Sequence, residues 1–283
     1  KSLPKTVIKL TDEIYQKGEK ERNSAQMLKA YMWRMKTQDI LTPDSFYVGL
    51  RDLEQWAKQT EQPMDRAILH SLIAEFYANY AADNQWQLRQ RTEIVGETPS
   101  ADIREWTANM FVEKVRTNVK EALADSLLLL KTSSRNYIPF VELGETSEYY
   151  HHDMYHLLAS RAVRALNQIE RLERGSFNGI TVSPVKQDII NIYERMSDAY
   201  ETAGLKEGYV LTMLQYLEWE RGNDNKLQPV QLKKGLGEWT ADTYNAALDE
   251  LKRQFKSEPI CAEVYLAQAR YAVEKMQQVN ALQ

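Results

Sequence analysis

Apolar residues recur at three- and four-residue spacing along almost the whole chain, and no period-two alternation lasts more than a few residues. The pattern predicts helices throughout and almost no sheet. The first predicted helix covers residues 5–22, with Pro4 suited to its first turn and Val7, Ile8, Leu10, Ile14 and Tyr15 on one face. Asn23-Ser24 breaks and re-caps it, and a second helix over 25–37 turns Met27, Leu28, Tyr31, Met32 and Met35 inward. So short a connection makes the two helices antiparallel neighbours.

The hairpin pattern then repeats. Thr42-Pro43 opens a helix through Phe46, Leu50, Leu53 and Trp56, and Pro63 opens another through Ile68, Leu72, Ile73, Phe76, Tyr77 and Tyr80. After Asp83-Asn84 a shorter helix reaches about Ile94, followed by a loop over 96–100. Asp102 with Glu105 three residues on has the form of a capping box and predicts one long helix ending near Thr132. Residues 137–148 are irregular, punctuated by Pro139 and Gly144. Helices resume over 153–174, 184–203, 205–221, 241–257 and 260–279, with loops at 175–183 and 222–238.

About ten helices with mostly short connections predict an all-α fold. The expected architecture is a set of antiparallel helical hairpins forming an irregular alpha-alpha superhelix, tetratricopeptide-like, as a single domain over 1–283. No strict 34-residue period fits the hairpins and the W-x2-L-G-x2-Y signature is absent, so a globular helical array and an alpha/alpha barrel stay open as alternatives. Composition supports the helical reading, because 11 glycines and 8 prolines in 283 residues leave few of the tight turns that many short strands need. A hydrophobic fraction of 43% supplies a core. The formal net charge of -4 comes from nearly balanced acids and bases with no basic block, which argues against nucleic acid as a partner. The longest purely apolar run, 127–130, is far short of the ~20 residues that cross a bilayer. The chain opens Lys1-Ser2-Leu3-Pro4 without an initiator Met, from which we expect a processed or trimmed chain, with a signal peptide removed upstream.

Candidate chemistry is sparse. The single cysteine, Cys261, excludes an internal disulfide and a Cys-based zinc site, and behind Pro259-Ile260 it reads as a small buried hydrophobe. The stretch Tyr149-Tyr150-His151-His152-Asp153-Met154-Tyr155-His156 holds three of the four histidines, and His152 and His156 stand four apart, a spacing that a divalent metal can use. No Glu lies between them to act as a base and no third ligand is specified, while Asp153 ahead of 154–159 has the form of a helix N-cap. His70, among Ile68, Leu69, Leu72 and Ile73, reads as a boundary histidine. No phosphate-binding glycine motif or G-x-S-x-G elbow is present, and Gly204 to Gly208 reads as a helix C-cap and turn. No catalytic, cofactor-binding or metal-binding residue is therefore assigned, and no cofactor is expected. Sixteen tyrosines and six tryptophans, in steps such as Phe76, Tyr77, Tyr80 and Tyr209, Tyr216, Trp219, are expected mainly to pack helices, with some lining a binding surface.

Several segments, in order, resemble one family. Leu3-Pro4-Lys5-Thr6-Val7-Ile8 followed by Ile14-Tyr15-Gln16-Lys17 resembles the start of the N-terminal helical region of Bacteroidetes alpha-2-macroglobulin-like proteins. Gln26-Met27-Leu28-Lys29-Ala30 is similar to the second helix of that region, 68–80 (ILHSLIAEFYANY) to its Ala-Glu-aromatic-Tyr helix, and 86–92 (WQLRQRT) to its Arg-Thr step. Residues 102–106 resemble its Asp-Ile-x-x-Trp element, and 153–165 (DMYHLLASRAVRA) a stretch that commonly reads Pro-Thr-Leu-Tyr-Asp-Phe-Leu-Ala-x-Arg-Ala. The chain departs from that stretch at His152-Asp153 and His156, where the family has Pro-Thr and Asp. The resemblance continues through 244–251 and 262–272.

It implies a fragment of a long envelope protein, periplasmic or anchored at the outer membrane, that traps or inhibits proteases through later macroglobulin-like domains. The family's thioester needs Cys-x-x-Gln, and Cys261-Ala262-Glu263-Val264 does not supply it, so the fragment is expected to be a non-catalytic structural or protein-interaction module. Its expected partners are downstream domains of the same chain, envelope proteins or proteases. A free-standing helical-repeat binder of a peptide or of a surface-glycan-system component is the alternative. A helical enzyme with its acids on separate helices is a third, which requires a deep pocket and a carboxyl of raised pKa.

Overall fold

A computed structural model of the chain describes residues 3–42, 46–92, 100–144, 152–173, 183–222 and 243–281. Among these residues the fold is all-α, built of helices packed on one another, and the one β feature is an isolated antiparallel bridge between Ser133 and Asp153. No helix among them is long and apolar enough to cross a membrane. The chain divides into two compact units, one comprising Lys1–Ser176 and Ser183–Ile189, the other Phe177–Val182 and Ile190–Gln283.

The first unit opens with the predicted hairpin of α1 (Pro4–Glu21) and α2 (Ser24–Leu41). Arg22 turns the chain in the left-handed region at φ 53°, and the Asn23 side chain accepts the Gln26 N–H to start α2. Gly18 lets the helices close, since a Cβ there would stand 3.0 Å from Met27 Cγ. The inward face of α1 differs from the expected one. Thr11 and Gly18 are buried, whereas Leu10 and Ile14 are 51% and 44% exposed. Thr11 tolerates burial because its hydroxyl donates to the Ile8 carbonyl within the same helix.

Helix α3 (Phe46–Gln59) and α4 (Pro63–Asp83) follow, then the short α5 (Gln85–Gln90). The long helix expected from Asp102 is instead three pieces: a 3-10 turn at Ile103–Glu105, α6 (Ala108–Ala122) and α7 (Ser126–Lys131). Asp102 accepts the Arg104 N–H and grips the Arg104 guanidinium at 2.7 and 2.9 Å, which caps a tight turn rather than an α-helix. Trp106 then leaves helical geometry to stack on Tyr77, 5.3 Å between ring centroids, while its Nε1 donates to the Ser100 carbonyl. The second break comes at Asp125, which caps α7 by accepting the Leu128 N–H. Another 3-10 turn, Ser134–Tyr137, leads toward α8 (Met154–Glu170), and α9 (Pro184–Ala203) carries the unit boundary.

Helix α4 lies at the centre, packed by α3, α6 and α8. Ile68, Leu69, Leu72, Ile73, Tyr77, Ala78 and Ala81 are all buried along it, which a helix apolar on every side requires. Asp65, in its first turn, is buried as well and accepts hydrogen bonds from Ser24 Oγ at 2.5 Å and Tyr137 Oη at 2.8 Å. The helix N-terminus favours that negative charge, and the carboxylate in turn joins the starts of α2 and α4 to the Ser134–Tyr137 turn.

In the second unit the rest of α9 meets α10 (Lys206–Gly222) through Tyr193 and Tyr216, and α10 packs with α11 (Thr243–Gln254) and α12 (Cys261–Ala281). Gly204, at φ 68°, ends α9 as expected, with the Leu205 N–H donating back to the Tyr200 carbonyl. Gly208 admits the Tyr200 ring, which a Cβ would meet at 2.5 Å. Arg221 binds Glu218 and Glu274 and covers the rings of Tyr244 and Tyr271 at 5.0 and 5.4 Å, tying α10, α11 and α12 together. Cys261 is buried as expected, its Sγ 3.8 Å from the Lys252 carbonyl.

Removing the Asp65 carboxylate leaves two hydroxyls without an acceptor in a partly dry site. Asp65→Ala should lower unfolding free energy by about 3 kcal/mol and Tyr137→Phe by about 1 kcal/mol, measured by denaturant melts. Equal, negligible changes would refute the keystone role.

Candidate functional site

A groove of about 330 Å³ opens in the first unit between α2, α4, α8 and the segment after Tyr137. Its floor is apolar and comes from buried Ile68 and Leu72 of α4 and Met154 and Leu158 of α8. Met32 and Trp33 form one wall, and Phe140, Val141 and Leu157 the other. Trp33 remains 51% exposed.

The polar groups stand at the rim. Lys29 Nζ donates to the Pro139 carbonyl at 2.9 Å and pairs with Glu142 at 3.3 Å, which fixes the segment 139–142 over α2. Arg161 pairs with Glu75 on the α8 side. Ser71, buried in the lining, has no hydrogen-bond partner for its hydroxyl among the described residues. The arrangement offers an apolar slot, a flat aromatic surface and two anchored ion pairs, the composition of a site that takes an apolar side chain from a partner.

The histidines singled out in the sequence have other duties. His152 Nε2 lies 2.9 Å from Arg135 Nη2, and since a guanidinium only donates, this nitrogen accepts and its lone pair is engaged. Asp153 caps α8 as expected, accepting the His156 N–H at 2.7 Å. Burial holds the His156 imidazole below its ordinary pKa, against an opposing pull from Asp153. His151 lies outside the described residues. His70 sits at a boundary, its Nδ1–H donating to Asn118 Oδ1 at 2.8 Å and linking α4 to α6. Among the described residues no group of three or more His, Cys, Asp or Glu side chains could hold a metal ion.

Four carboxyls of the described residues have a pKa held below the ordinary value. Glu250 falls to about 2 beside Arg253 and Gln254, and Asp102, Asp249 and Glu274 are lowered first by hydrogen bonds from Arg104, Lys252 and Arg221 respectively. These are acids committed to ion pairs. The aromatic steps pack as expected: Tyr77 and Phe111 lie at 6.2 Å, Tyr193 and Tyr216 stack at 5.1 Å, and Tyr209 meets Phe255 at 5.7 Å. Burial raises the phenol pKa of Tyr193 to about 12.

Sequence reasoning did not single out Trp33, Lys29, Ser71 or Arg161 as groove residues. Trp33 gave a usable signal, because it falls beside rather than on the inward stripe of Leu28 and Met35. The opposing wall comes from a segment more than a hundred residues away, which no local spacing announces.

The depressed His156 pKa has a pH signature. An unfolded chain binds a proton at His156 near pH 6.5 while the folded one resists it, so the unfolded state holds more protons and stability falls as pH falls below 6.5. The contribution is complete above that value. Thermal melts between pH 7.5 and 5.5 should show this loss, and His156→Gln should flatten it; an unchanged slope in the variant would refute the assignment. Compared with protein-family models, with curated proteins and with solved structures, the chain matches none.

Proposed function

We propose that this chain is a non-catalytic protein-interaction module whose apolar groove receives a side chain of a partner protein. The observation that carries the reading is the exposed Trp33 beside a slot floored by Ile68, Leu72, Met154 and Leu158. An exposed indole next to a concave apolar surface is costly in water and is covered when a partner docks. Fully burying one Leu- or Phe-sized side chain in such a slot contributes about 2 kcal/mol, and the Lys29–Glu142 and Arg161–Glu75 pairs at the rim would orient the incoming chain.

The setting we propose is the N-terminal region of an alpha-2-macroglobulin-like envelope protein that acts on proteases, held in the periplasm or at the outer membrane. The ordered run of motifs from Leu3-Pro4-Lys5-Thr6 to 262–272 supports it. The partner is then a downstream domain of the same protein, another envelope protein or a protease. A free-standing helical-repeat binder would use the same groove.

Benzoylphenylalanine placed at Trp33 and irradiated in cells should give a discrete cross-linked adduct. The same probe at Lys9, on the exposed side of α1, should give none. Equal labelling at both positions would sink the docking role. The setting is tested by the gene on either side of residues 1–283: a signal peptide before and β-rich macroglobulin domains after are expected, and neither being present would overturn it.

A further inference from the structure

The last helix, α12, has two apolar faces. One looks inward: Val264 is fully buried, Tyr271 meets the Tyr244 ring of α11 at 4.9 Å, and Glu274 binds Arg221 of α10. The other looks out. At about 100° per residue, every position from 261 to 276 that falls in an arc of about 120° opposite the inward face is apolar. Its large members, Tyr265, Leu266, Val273 and Met276, are 54%, 41%, 52% and 70% exposed. Between them stand the exposed Ala262, Ala269 and Ala272. A helix at a protein surface keeps polar residues on its outer side, and one that is apolar on both sides is covered by a neighbour.

One edge of the arc is charged. Arg270 is exposed and pairs with no acid among the described residues, and Glu263 stands seven residues before it on the same edge. The other edge, formed by Tyr265 and Ala272, is uncharged.

Large and small side chains at three- and four-residue spacing are the surface that another helix packs on. Turned antiparallel about a point between Ala267 and Gln268, the face matches itself. Ala262 then falls opposite Val273 of a second copy, Leu266 opposite Ala269, and Tyr265 beside Ala272, so that each large side chain meets an alanine. The same register brings Arg270 within two residues, about 3 Å along the axis, of Glu263 of the second copy, and twofold symmetry repeats the pair. A parallel pairing would set the charged edge against Tyr265 and Ala272 and supply no acid.

We infer that the outer face of α12 binds a second copy of this chain, through an antiparallel α12–α12 contact with reciprocal Arg270–Glu263 ion pairs. One pair of helices of this length buries less than the about 1,200 Å² of a standard interface, so the dimer is weak and concentration-dependent. The contact uses no residue of the Trp33 groove, and it stands or falls apart from the reading of the chain as a module that takes a partner's side chain.

Sedimentation equilibrium of the full chain between about 2 and 200 µM should show reversible monomer–dimer exchange. Val273→Glu lies on the exposed face and should keep its circular-dichroism melt, while raising the dimer Kd at least about tenfold. Arg270→Glu should raise it about threefold or more, and Glu263→Arg/Arg270→Glu should bring it back. Disulfides read the register: Ala262→Cys and Val273→Cys chains, mixed and mildly oxidised, should cross-link to each other and neither to itself, with the buried Cys261 silent. A monomer throughout the range overturns the inference, as does a dimer indifferent to Val273→Glu or one lost on Leu10→Glu of α1 instead. A charge swap that fails to restore the dimer, or a disulfide between two Val273→Cys chains, overturns the antiparallel contact.

Discussion

Helix α4 is buried on nearly every side, and the first unit is organised by what that burial demands. Its apolar positions accept neighbours all round, from α3, α6 and α8. Most polar groups caught inside find a partner within the protein, because an unmet buried polar group costs about 1–3 kcal/mol, and Ser71 is the exception on this helix among the described residues. Asp65 is met by Ser24 and Tyr137, His70 by Asn118, and Tyr77 Oη by Glu54 at 2.9 Å. These bonds fix the register of α2, α3, α6 and the Ser134–Tyr137 turn against the central helix. Apolar contact alone would allow those elements to slide.

Two grooves follow from the same arrangement. Helix α8 packs on α4, with Leu158, Ala162, Leu166 and Ile169 buried along it. Toward α2 lies the apolar slot, with Leu157 and Arg161 at its edge, and a second groove takes Ser160, Arg164, Gln168 and Arg171 of the same helix. One helix thus lines both grooves. Sites on packed helices hold their geometry better than sites on loops.

In the second unit an arginine joins the apolar packing. Arg221 covers the rings of Tyr244 and Tyr271 while binding Glu218 and Glu274, and Tyr244 Oη donates to Glu218 at 2.9 Å. Near the α11–α12 turn, Asp249, Lys252 and Gln268 form a further polar cluster. Exposed pairs of this kind contribute little each, but they set which faces of amphipathic helices meet. The outer side of α12 keeps Tyr265, Val273 and Met276 more than half exposed.

Helix positions were legible in the sequence because apolar spacing, Pro at helix starts and caps such as Asn23, Asp153 and Gly204 act within a turn of the residue that carries them. The all-α class and the α1–α2 hairpin follow from these local rules, as does the buried state of Cys261. What the tertiary structure alone decided depends on distant partners. Trp106 stacking on Tyr77 split an expected long helix, and the packing of α1 on α2 buries Thr11 rather than Leu10. The grooves belong to this second kind. Lys29 meets Glu142 across more than a hundred residues. Periodicity fixes which residues share a helix face, whereas pairing between faces is a sum of long-range contacts that no local window contains.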